Sequence, residues 1–532
     1  MQSLTWAERV AQATLQTSPR QVGAVPVVYP LIENLQIRQT INALRGSKSE
    51  IDMGRTMEVL LLNRLLSPQP LCRVGEWAEQ TIIPQMFGLQ VEQLYDQRFG
   101  RALDELHPVL GEAWVEIAAR AVQQEGLDVS VLHWDTTSVY LEGEYEDSDL
   151  AEYGHSSDGF SDKKQVKLGL DVTDRERVPL LYRVLPGSTA DDTTPVPNLK
   201  AIVAFLKRPE FASLAVRPLV VGDCKMITPA AVAAAHENHL YYLGPWESNN
   251  TVEAVLRSVS QAELESQPLD YHPLRHFPAK QPFIPYCGVW QPYPVTYRDV
   301  TYEDRALVIW SAGKQHLDEK KRKACLKRLL NRLVEIRERL NRGRYIRSEY
   351  AAYQIALAQR GNPAKGLVDV ELTGTDRQLA LAFKLNHAAL AQAQALDGRY
   401  LLGTNAQHLS ASQTLTFFKA QDRVEKQNAH LKGPLCVRPL FLHSDERIEG
   451  LVFITLLALL VSSLLELHCR RAGLRYSAER TLQTFASLYA TRQTFVDGSH
   501  YQQLGKLTTA QQQVLEKLRF PLPNRYLNPL PD

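Results

Sequence analysis

Three acidic residues occur where carboxylates could hold metal ions. Asp135 lies in a segment with the alternating pattern of a strand, Asp223 follows a short apolar strand, and Glu425 lies on a predicted helix. Three carboxylates at one edge of a mixed sheet repel one another unless a divalent cation holds them. Carboxylate and water oxygens suit Mg²⁺ or Mn²⁺. Two such ions about 4 Å apart serve phosphodiester chemistry, because they activate the attacking oxygen and stabilise the leaving oxygen.

The strand that carries Asp135 is ambiguous when taken alone. An aspartate in the middle of the strand-like segment 129–142 is disfavoured by propensity, and a buried one must be paired, protonated or bound to a metal. An edge strand with Asp135 in water explains this segment equally well. Asp223 and Glu425 favour the metal site because they supply the other two carboxylates.

The segment 409–432 carries further candidate residues. It contains neither Pro nor Gly and predicts one continuous helix. At about 100° per residue, Phe418, Gln421, Glu425 and Lys432 fall on one narrow stripe of that helix. A mixed helix face at a domain boundary is the alternative interpretation of such a stripe.

Basic residues near the acids suit a phosphate substrate. Lys432 follows Glu425 by two turns, Arg423 lies on the same predicted helix, and Lys225 is close to Asp223 in the sequence. Farther away, residues 314–344 contain twelve Lys or Arg against four acids, a local excess of 12 − 4 = 8. A solvated helix face is one interpretation, and contact with a phosphate backbone is the other. The candidate DNA contacts on this helix are Lys320, Lys321, Arg322, Lys327 and Arg328.

An α/β pattern surrounds the two aspartates. Between residues 128 and 245 the order is three strands, a helix, a strand that ends near Asp223, a helix and a strand. The uninterrupted apolar strand before Asp223 suits the middle of a sheet covered on both faces. Asp223 then lies just beyond the carboxyl end of a strand, where ligands gather in such sheets.

The remaining sequence predicts additional domains. The chain of 532 residues has room for two to four domains in all. The expected division is a helical region at 1–125, a core at 126–245 and 401–500 that carries the three acids, an insertion at 246–400 that is β-rich and then basic and helical, and a weakly ordered C-terminal tail at 501–532.

Composition and cysteine usage exclude several classes of protein. The chain is 44% hydrophobic and 22% charged, which is typical of a soluble globular protein and not of a fibrous or disordered one. The N-terminus lacks the apolar core of a signal peptide, and the apolar run 451–465 is too short for a membrane span, so we expect a buried helix there, a cytoplasmic location and no membrane partner. The six cysteines form no CxxC motif, and His236 with His239 lacks a third ligand, which argues against a zinc site.

The order of these features resembles the DDE transposases, which have an RNase H-like fold. It is more narrowly similar to the bacterial insertion-sequence superfamily whose last catalytic helix carries a Tyr, Arg, Glu and Lys signature. Phe418, Gln421, Glu425 and Lys432 keep the spacing of that signature. Four phrases are also similar to the branch of it with an N-terminal helical domain: GAVPVVYPLIENL, GRALDEL, DTTSVYLEG and VRPLFLHSDERIEGLVFITLLAL.

The resemblance implies a fold, an activity and partners. The fold is an RNase H-like mixed α/β catalytic core, with an insertion before the last catalytic helix and an all-α, DNA-binding domain at the N-terminus, in residues 1–125. The activity is cut-and-paste transposition of double-stranded DNA at terminal inverted repeats and at a target, with two Mg²⁺ or Mn²⁺ ions per site and a homodimer in the paired-end complex. The protein would be located in a bacterial cytoplasm, at the nucleoid. In relatives that form hairpins an aromatic residue of the insertion receives a flipped base, and Trp310 is the candidate here; a core tryptophan is its alternative.

Two positions depart from the signature. Phe418 lacks the phenolic hydroxyl and Gln421 lacks the positive charge, and both positions normally help to place DNA. The alternative function is therefore a transposase-derived, sequence-specific DNA-binding or assembly protein with weak or no cleavage. A general RNase H-like nuclease is disfavoured by the large insertion and the N-terminal domain.

Overall fold

The structure, a computed structural model, describes residues 5, 8, 17–46, 50–154, 159–160, 162–211, 216–271, 285–438, 440–494 and 500–530. By their internal contacts these residues form two compact units. Unit 1 comprises residues 1–226, 237–240 and 420–532, and unit 2 comprises residues 227–236 and 241–419. The expected N-terminal region thus falls within unit 1, and the expected insertion falls within unit 2.

The helices are numbered in chain order. They are α1 (Val25–Asn34), α2 (Ile37–Leu44), α3 (Met53–Leu66), α4 (Val74–Glu79), α5 (Ile83–Met86), α6 (Asp96–Leu106), α7 (Leu110–Glu125), α8 (Pro195–Leu206), α9 (Pro229–Glu237), α10 (Asn250–Ser258), α11 (Gln261–Glu265), α12 (Ala312–Arg339), α13 (Ser348–Gln359), α14 (His387–Gln394), α15 (Ala411–Lys419), α16 (Asp422–Lys432), α17 (Asp445–Arg471), α18 (Ala478–Phe485) and α19 (Thr509–Leu518).

The strands are numbered in the same way. They are β1 (Thr17–Gln21), β2 (Val131–Tyr140), β3 (Gln165–Thr173), β4 (Pro179–Pro186), β5 (Leu219–Val221), β6 (Tyr241–Pro245), β7 (Pro268–Leu269), β8 (Tyr286–Pro292), β9 (Val295–Tyr297), β10 (Val300–Tyr302), β11 (Arg305–Ser311), β12 (Val368–Thr373), β13 (Ala380–Leu385), β14 (Arg399–Thr404), β15 (Tyr489–Thr494) and β16 (His500–Leu504).

The sheet of unit 1 is mixed. Strand β3 pairs antiparallel with β4 on one side and with β2 on the other, and β2 pairs parallel with β5. Every residue of β3 is buried, because helices cover both faces of an interior strand in this kind of sheet. The chain returns from β4 to β5 through α8, so the predicted order of strands and helices is confirmed here.

Two features of β3 shape one face of that sheet. Gly169 lies under the indole of Trp134, where a Cβ atom would overlap the ring, and this close approach explains a glycine in the middle of a strand. Asp171, on the same face, is fully buried and accepts a hydrogen bond from Asn198 Nδ2 of α8 at 3.0 Å. The second oxygen of Asp171 and Oδ1 of Asn198 are both buried without a hydrogen-bond partner.

Helix α17 forms the centre of the core of unit 1. Ser444 caps its N-terminus by accepting a hydrogen bond from the Arg447 backbone N–H, and acidic residues in the first turn and basic residues in the last turn complement the helix dipole. The helix packs against α1, α3 and α6. It is long and apolar enough to cross a membrane, with a mean hydropathy of 2.4, but 94% of its most apolar window is buried inside the protein, so the predicted buried helix is confirmed.

Unit 2 is built from a sheet and a helical pair. Its strands follow the order β6, β14, β11, β8, β7, and every neighbouring pair is antiparallel. A second core lies between α12, α13 and the hairpin of β12 and β13, with Leu329, Leu333 and Ile336 of α12 at its centre. The predicted long basic helix is confirmed as α12.

Two expectations about helices were wrong. The predicted helix 409–432 is divided into α15 and α16, because the Gln421 side chain bonds to the backbone of β2 and the Arg423 N–H bonds to the nearby Ala420 carbonyl in a tighter turn. The N-terminal region is not entirely helical, since β1 pairs with β15.

The expected weakly ordered tail also differs from the structure. Strand β16 pairs with β15, and α19 begins with a capping box formed by Thr508 and Gln511. Tyr526 is fully buried, with its ring edge-on to Tyr29 at 6.0 Å. The burial of Tyr526 against Tyr29 orders this segment, and no local sequence pattern records that contact.

Candidate active site

The pairing of β2 with β5 positions two of the three acids. Leu132 lies opposite Val220 and His133 opposite Val221 in this parallel pair. The same register, continued for two residues, brings Asp135 to the level of Asp223. Asp223 follows β5 directly after Gly222, as expected of a residue at the carboxyl end of a strand.

The electrostatics of Asp135 connect all three acids. Burial is the largest cause that raises the pKa of Asp135, to about 7, and the charges of Asp223 and Glu425 raise it further. The backbone N–H of Thr136 and the side chain of Asn428 act in the opposite direction by donating hydrogen bonds. The structure therefore brings Asp223 and Glu425 within electrostatic range of Asp135.

A fourth acid affects Asp223. Desolvation raises the pKa of Asp223, the backbone N–H groups of Lys225 and Met226 lower it through hydrogen bonds of 2.9 and 3.2 Å, and the charge of Asp191 raises it. Asp191 also accepts hydrogen bonds from the Thr136 hydroxyl at 2.9 Å and from Lys167 Nζ at 2.8 Å. Sequence reasoning missed Asp191, because two aspartates before a helix that begins with proline look like an ordinary helix start.

The types of the donor atoms suit a hard divalent cation, but the distances between them do not. Asp135, Asp223 and Glu425 offer carboxylate oxygens, and the charges of Asp223 and Glu425 add to burial in raising the pKa of Asp135. Within the described ranges, however, no three His, Cys, Asp or Glu side chains, including these three acids, lie close enough together to hold one metal ion. The residues suit the metal in type and charge, and they would have to approach one another more closely to form a complete ligand set.

Helix α16 is fixed to the strand of Asp135 by two amides. Asn428, 6% exposed, donates from Nδ2 to Asp135 Oδ2 at 3.0 Å. Gln421, 9% exposed, donates from Nε2 to the Trp134 carbonyl at 2.8 Å. These bonds set the helix that carries Glu425, itself exposed, beside β2. Asn428 is a further residue that the sequence did not reveal, although it lies one turn after Glu425.

A buried polar cluster supports the same contact. His133 is completely buried and lies 2.8 Å from Asp174 Oδ1 through Nε2 and 3.3 Å from Gln421 Oε1 through Nδ1. Arg423 forms an ion pair with Asp174 and donates to its backbone carbonyl. Burial acts to raise the pKa of Asp174, but the hydrogen bonds from His133 and Arg423 outweigh it and hold that pKa below its usual value. Gln421 and Arg423, predicted DNA contacts, thus bind other parts of the protein.

The other predicted contacts have varied surroundings. In unit 1, Lys225 and Lys432 are partly exposed. In unit 2, Phe418 is half-buried with its ring 6.0 Å from that of Tyr400. Trp310 is 9% exposed within a core cluster, which favours its interpretation as a core tryptophan.

The five predicted DNA contacts on α12 divide into two groups. Arg322 forms a largely buried ion pair with Asp397, with Nη2 2.6 Å from Oδ2. The others are exposed, and they are Lys320, Lys321, Lys327 and Arg328. His236 lies 2.9 Å from Asp304 and stacks on Tyr302. These are ordinary structural contacts, and the absence of a zinc site at His236 and His239 stays a prediction.

Comparisons with known proteins give coarse likenesses. A family described only as a domain of unknown function, DUF4277, matches residues 17–116. No curated protein matches the sequence. Among solved structures, the chain is similar to a piggyBac transposase synaptic complex with hairpin DNA, at 8% identity and a TM-score of 0.38, over 88% of this chain and 82% of that one.

Two Mos1 structures give smaller overlaps. One is the mariner paired-end complex with Mn, at 14% identity and a TM-score of 0.16, over 35% of this chain and 56% of that one. The other is a pre-cleavage Mos1 transpososome, at 14% identity and a TM-score of 0.16, over 37% and 61%.

Proposed function

We propose that the protein is a DNA transposase that cleaves and joins phosphodiester bonds at the ends of an insertion sequence. One observation carries the proposal: Asp135, on an interior strand, is held half-buried within electrostatic range of Asp223 and Glu425. Such repulsion is costly in a structural site. It is useful where the charges are neutralised by divalent cations bound with a phosphate substrate.

Each acid has a role in this proposal. Asp135, Asp223 and Glu425 would ligate Mg²⁺ or Mn²⁺, two ions per site, through their carboxylate oxygens. When bound, these cations supply the Lewis acidity that lowers the pKa of an attacking water and stabilises the leaving oxygen. Asn428 orients the Asp135 carboxylate through its hydrogen bond.

Basic residues would place the DNA. Lys225 is two residues from Asp223, and Lys432 lies at the end of the helix that carries Glu425, so both would attract the scissile phosphate. The exposed lysines of α12 suit a salt-sensitive contact with the phosphate backbone. The substrates would be terminal inverted repeats and target DNA, cut and pasted with or without hairpins. The two ends would be paired by a homodimer in the bacterial cytoplasm, at the nucleoid.

A strand-cleavage assay tests the proposal. Duplexes that carry the boundaries of the protein's own element are incubated with Mg²⁺, Mn²⁺ or EDTA and resolved on a denaturing gel. We expect nicks at the boundary that need the metal and fall by more than about a hundredfold in Glu425→Gln, since direct ligands matter more than their outer supports. Asp422→Asn, on the same helix but paired with Lys426, is the matched control and should cleave normally. Equal cleavage by the wild type and Glu425→Gln would refute the proposal.

A second candidate function has its own observation. Gln421 and Arg423 bind within unit 1, so two predicted DNA contacts on this helix are engaged elsewhere. A transposase-derived DNA-binding or assembly protein would tolerate that loss. It predicts tight, specific binding to the element ends with no nicks in Mg²⁺ or Mn²⁺, by the wild type and Glu425→Gln alike.

A further inference from the structure

A cavity of about 540 Å³ lies within residues 17–116, far along the chain from the three acids. Three arginines line it: Arg45, which follows α2, and Arg98 and Arg101, which lie one turn apart on α6. Tyr95 and Glu105 lie beside them on its wall. We call this feature the arginine cavity.

Tyr95 contacts two of the three guanidinium groups and holds them in position. The Arg98 guanidinium lies 5.3 Å from the centroid of the Tyr95 ring, within the range of a cation–π contact. Arg101 donates from Nη2 to the Tyr95 hydroxyl at 3.2 Å and from Nε to the Gln97 carbonyl at 3.2 Å. Because these contacts fix Arg98 and Arg101 in advance, a ligand would bind without much further loss of side-chain freedom.

The charge of the arginine cavity is unbalanced. Three guanidinium groups face a single carboxylate of the lining, that of Glu105, which leaves a formal charge of 3 − 1 = +2. Glu50 lies 3.7 Å from Arg98, but its side chain is 68% exposed, so this ion pair contributes little. Like charges that converge on one cavity repel one another, and an anion placed between them relieves the repulsion.

Apolar residues at the floor of the cavity reduce the hydration of the charge above them. Ile51, Met53 and Ala102 are buried apolar residues there. Arg98 is partly buried above this floor, which strengthens its attraction for an anion, whereas Arg45 and Arg101 are exposed and can be reached from solvent. Arginine forks match the paired oxygens of phosphate, so the chemistry favours a phosphate group over a simple halide.

We propose that the arginine cavity binds a phosphate group of the DNA backbone, and so gives the family domain at residues 17–116 a role in DNA binding. The assignment of the phosphate to DNA rests on the proposed function. The recognition of phosphate itself does not, because it follows from the three arginines, and a free phosphate ligand shares the same chemistry.

Two measurements on the full-length protein test this. The first is calorimetric titration with inorganic phosphate at low ionic strength, for the wild type, Arg45→Ala and Arg45→Ala/Arg101→Ala. The matched control is Arg73→Ala/Arg175→Ala, which removes the same charge from exposed positions outside the cavity. We expect phosphate binding in the wild type and control, at least tenfold weaker binding in Arg45→Ala, and none in the double variant. Absence of binding in the wild type, or equal binding in the double variant, would overturn the proposal.

The second measurement identifies the source of the phosphate. The affinity for element-end DNA is measured against salt concentration for the same proteins. The double variant should lose about one unit of the salt slope, as expected for the loss of one phosphate contact, on specific and unrelated DNA alike. An unchanged slope together with lost phosphate binding would overturn the DNA assignment and leave a free phosphate ligand. Because neither measurement depends on strand cleavage, failure of the cavity proposal can be told apart from failure of the transposase proposal.

Discussion

The buried pair of Asp171 and Asn198 predicts that replacing Asp171 by Asn stabilises the protein at neutral and alkaline pH. Burial raises the pKa of Asp171 from 3.8 to about 8, and hydrogen bonding from Asn198 only partly opposes this. A neutral carboxylic acid can donate from its second oxygen to the unsatisfied Oδ1 of Asn198, and an asparagine amide can make the same donation. The variant therefore keeps both hydrogen bonds of the pair without a group that ionises.

The magnitude follows from the pKa difference. The folded protein holds this proton between about pH 4 and pH 8, whereas the unfolded chain has released it, so the free energy of unfolding falls as pH rises through that window. A difference of 8 − 3.8, or about four units, at about 1.4 kcal/mol each, corresponds to about 6 kcal/mol above pH 8 and about 4 kcal/mol at pH 7. Relaxation of the surroundings reduces these upper limits, and we expect about half of them.

Urea unfolding at pH 5, 6, 7 and 8 measures this effect. The difference in the free energy of unfolding between Asp171→Asn and the wild type should be smallest at pH 5 and grow steadily with pH. Titrating groups other than Asp171 contribute equally to both proteins and cancel in the difference. A difference that stays constant from pH 5 to pH 8, or that shrinks as pH rises, would refute the assignment of Asp171 as a buried neutral acid.

The remaining predictions concern packing and buried charge. Gly169→Ala should lower the free energy of unfolding by about 1–3 kcal/mol in denaturant melts, because its Cβ meets the Trp134 indole, while Gly111→Ala, with open space around it, should change little. Arg322→Met should cost about 3–5 kcal/mol, since it leaves Asp397 buried and unpaired, whereas Lys320→Met should leave thermal stability unchanged and only reduce the salt dependence of DNA binding. His133→Ala should weaken the packing of α16 against β2 and lower the free energy of unfolding by about 1–3 kcal/mol, because His133 contacts both Gln421 and Asp174. A stability equal to that of the wild type would contradict the role given to the buried cluster.

The sequence predicted most where a local pattern determines the structure. Alternation and β-branched residues indicated β2, and the apolar strand before Asp223 indicated a position at a strand's carboxyl end. Helix α17 was predictable because an apolar run bounded by charged residues must be buried. These features depend on residues that are neighbours in the chain.

Features that depend on distant residues were not predictable. The break between α15 and α16 occurs where Gln421 meets the backbone of Trp134, about 290 positions earlier, and no helix propensity records that contact. Asp191 reaches the site only because the chain after β4 returns beside Thr136. The burial of Trp310 and the pairing of Arg322 with Asp397 likewise arise from the packing of unit 2, which a single helix or strand pattern does not contain.

The position of α17 in the chain has a consequence for how the protein is made. Its packing partners α1, α3 and α6 leave the ribosome more than 300 residues before it does, so the core of unit 1 stays incomplete through most of synthesis. Contacts between such distant segments also slow folding, because closing a long loop has an entropic cost before the contacts form. Nascent chains that stop before Asp445 would expose the apolar surfaces that α17 covers. We therefore expect unit 1 to depend on chaperones during synthesis and to gain protease resistance only when residues 445–471 have emerged.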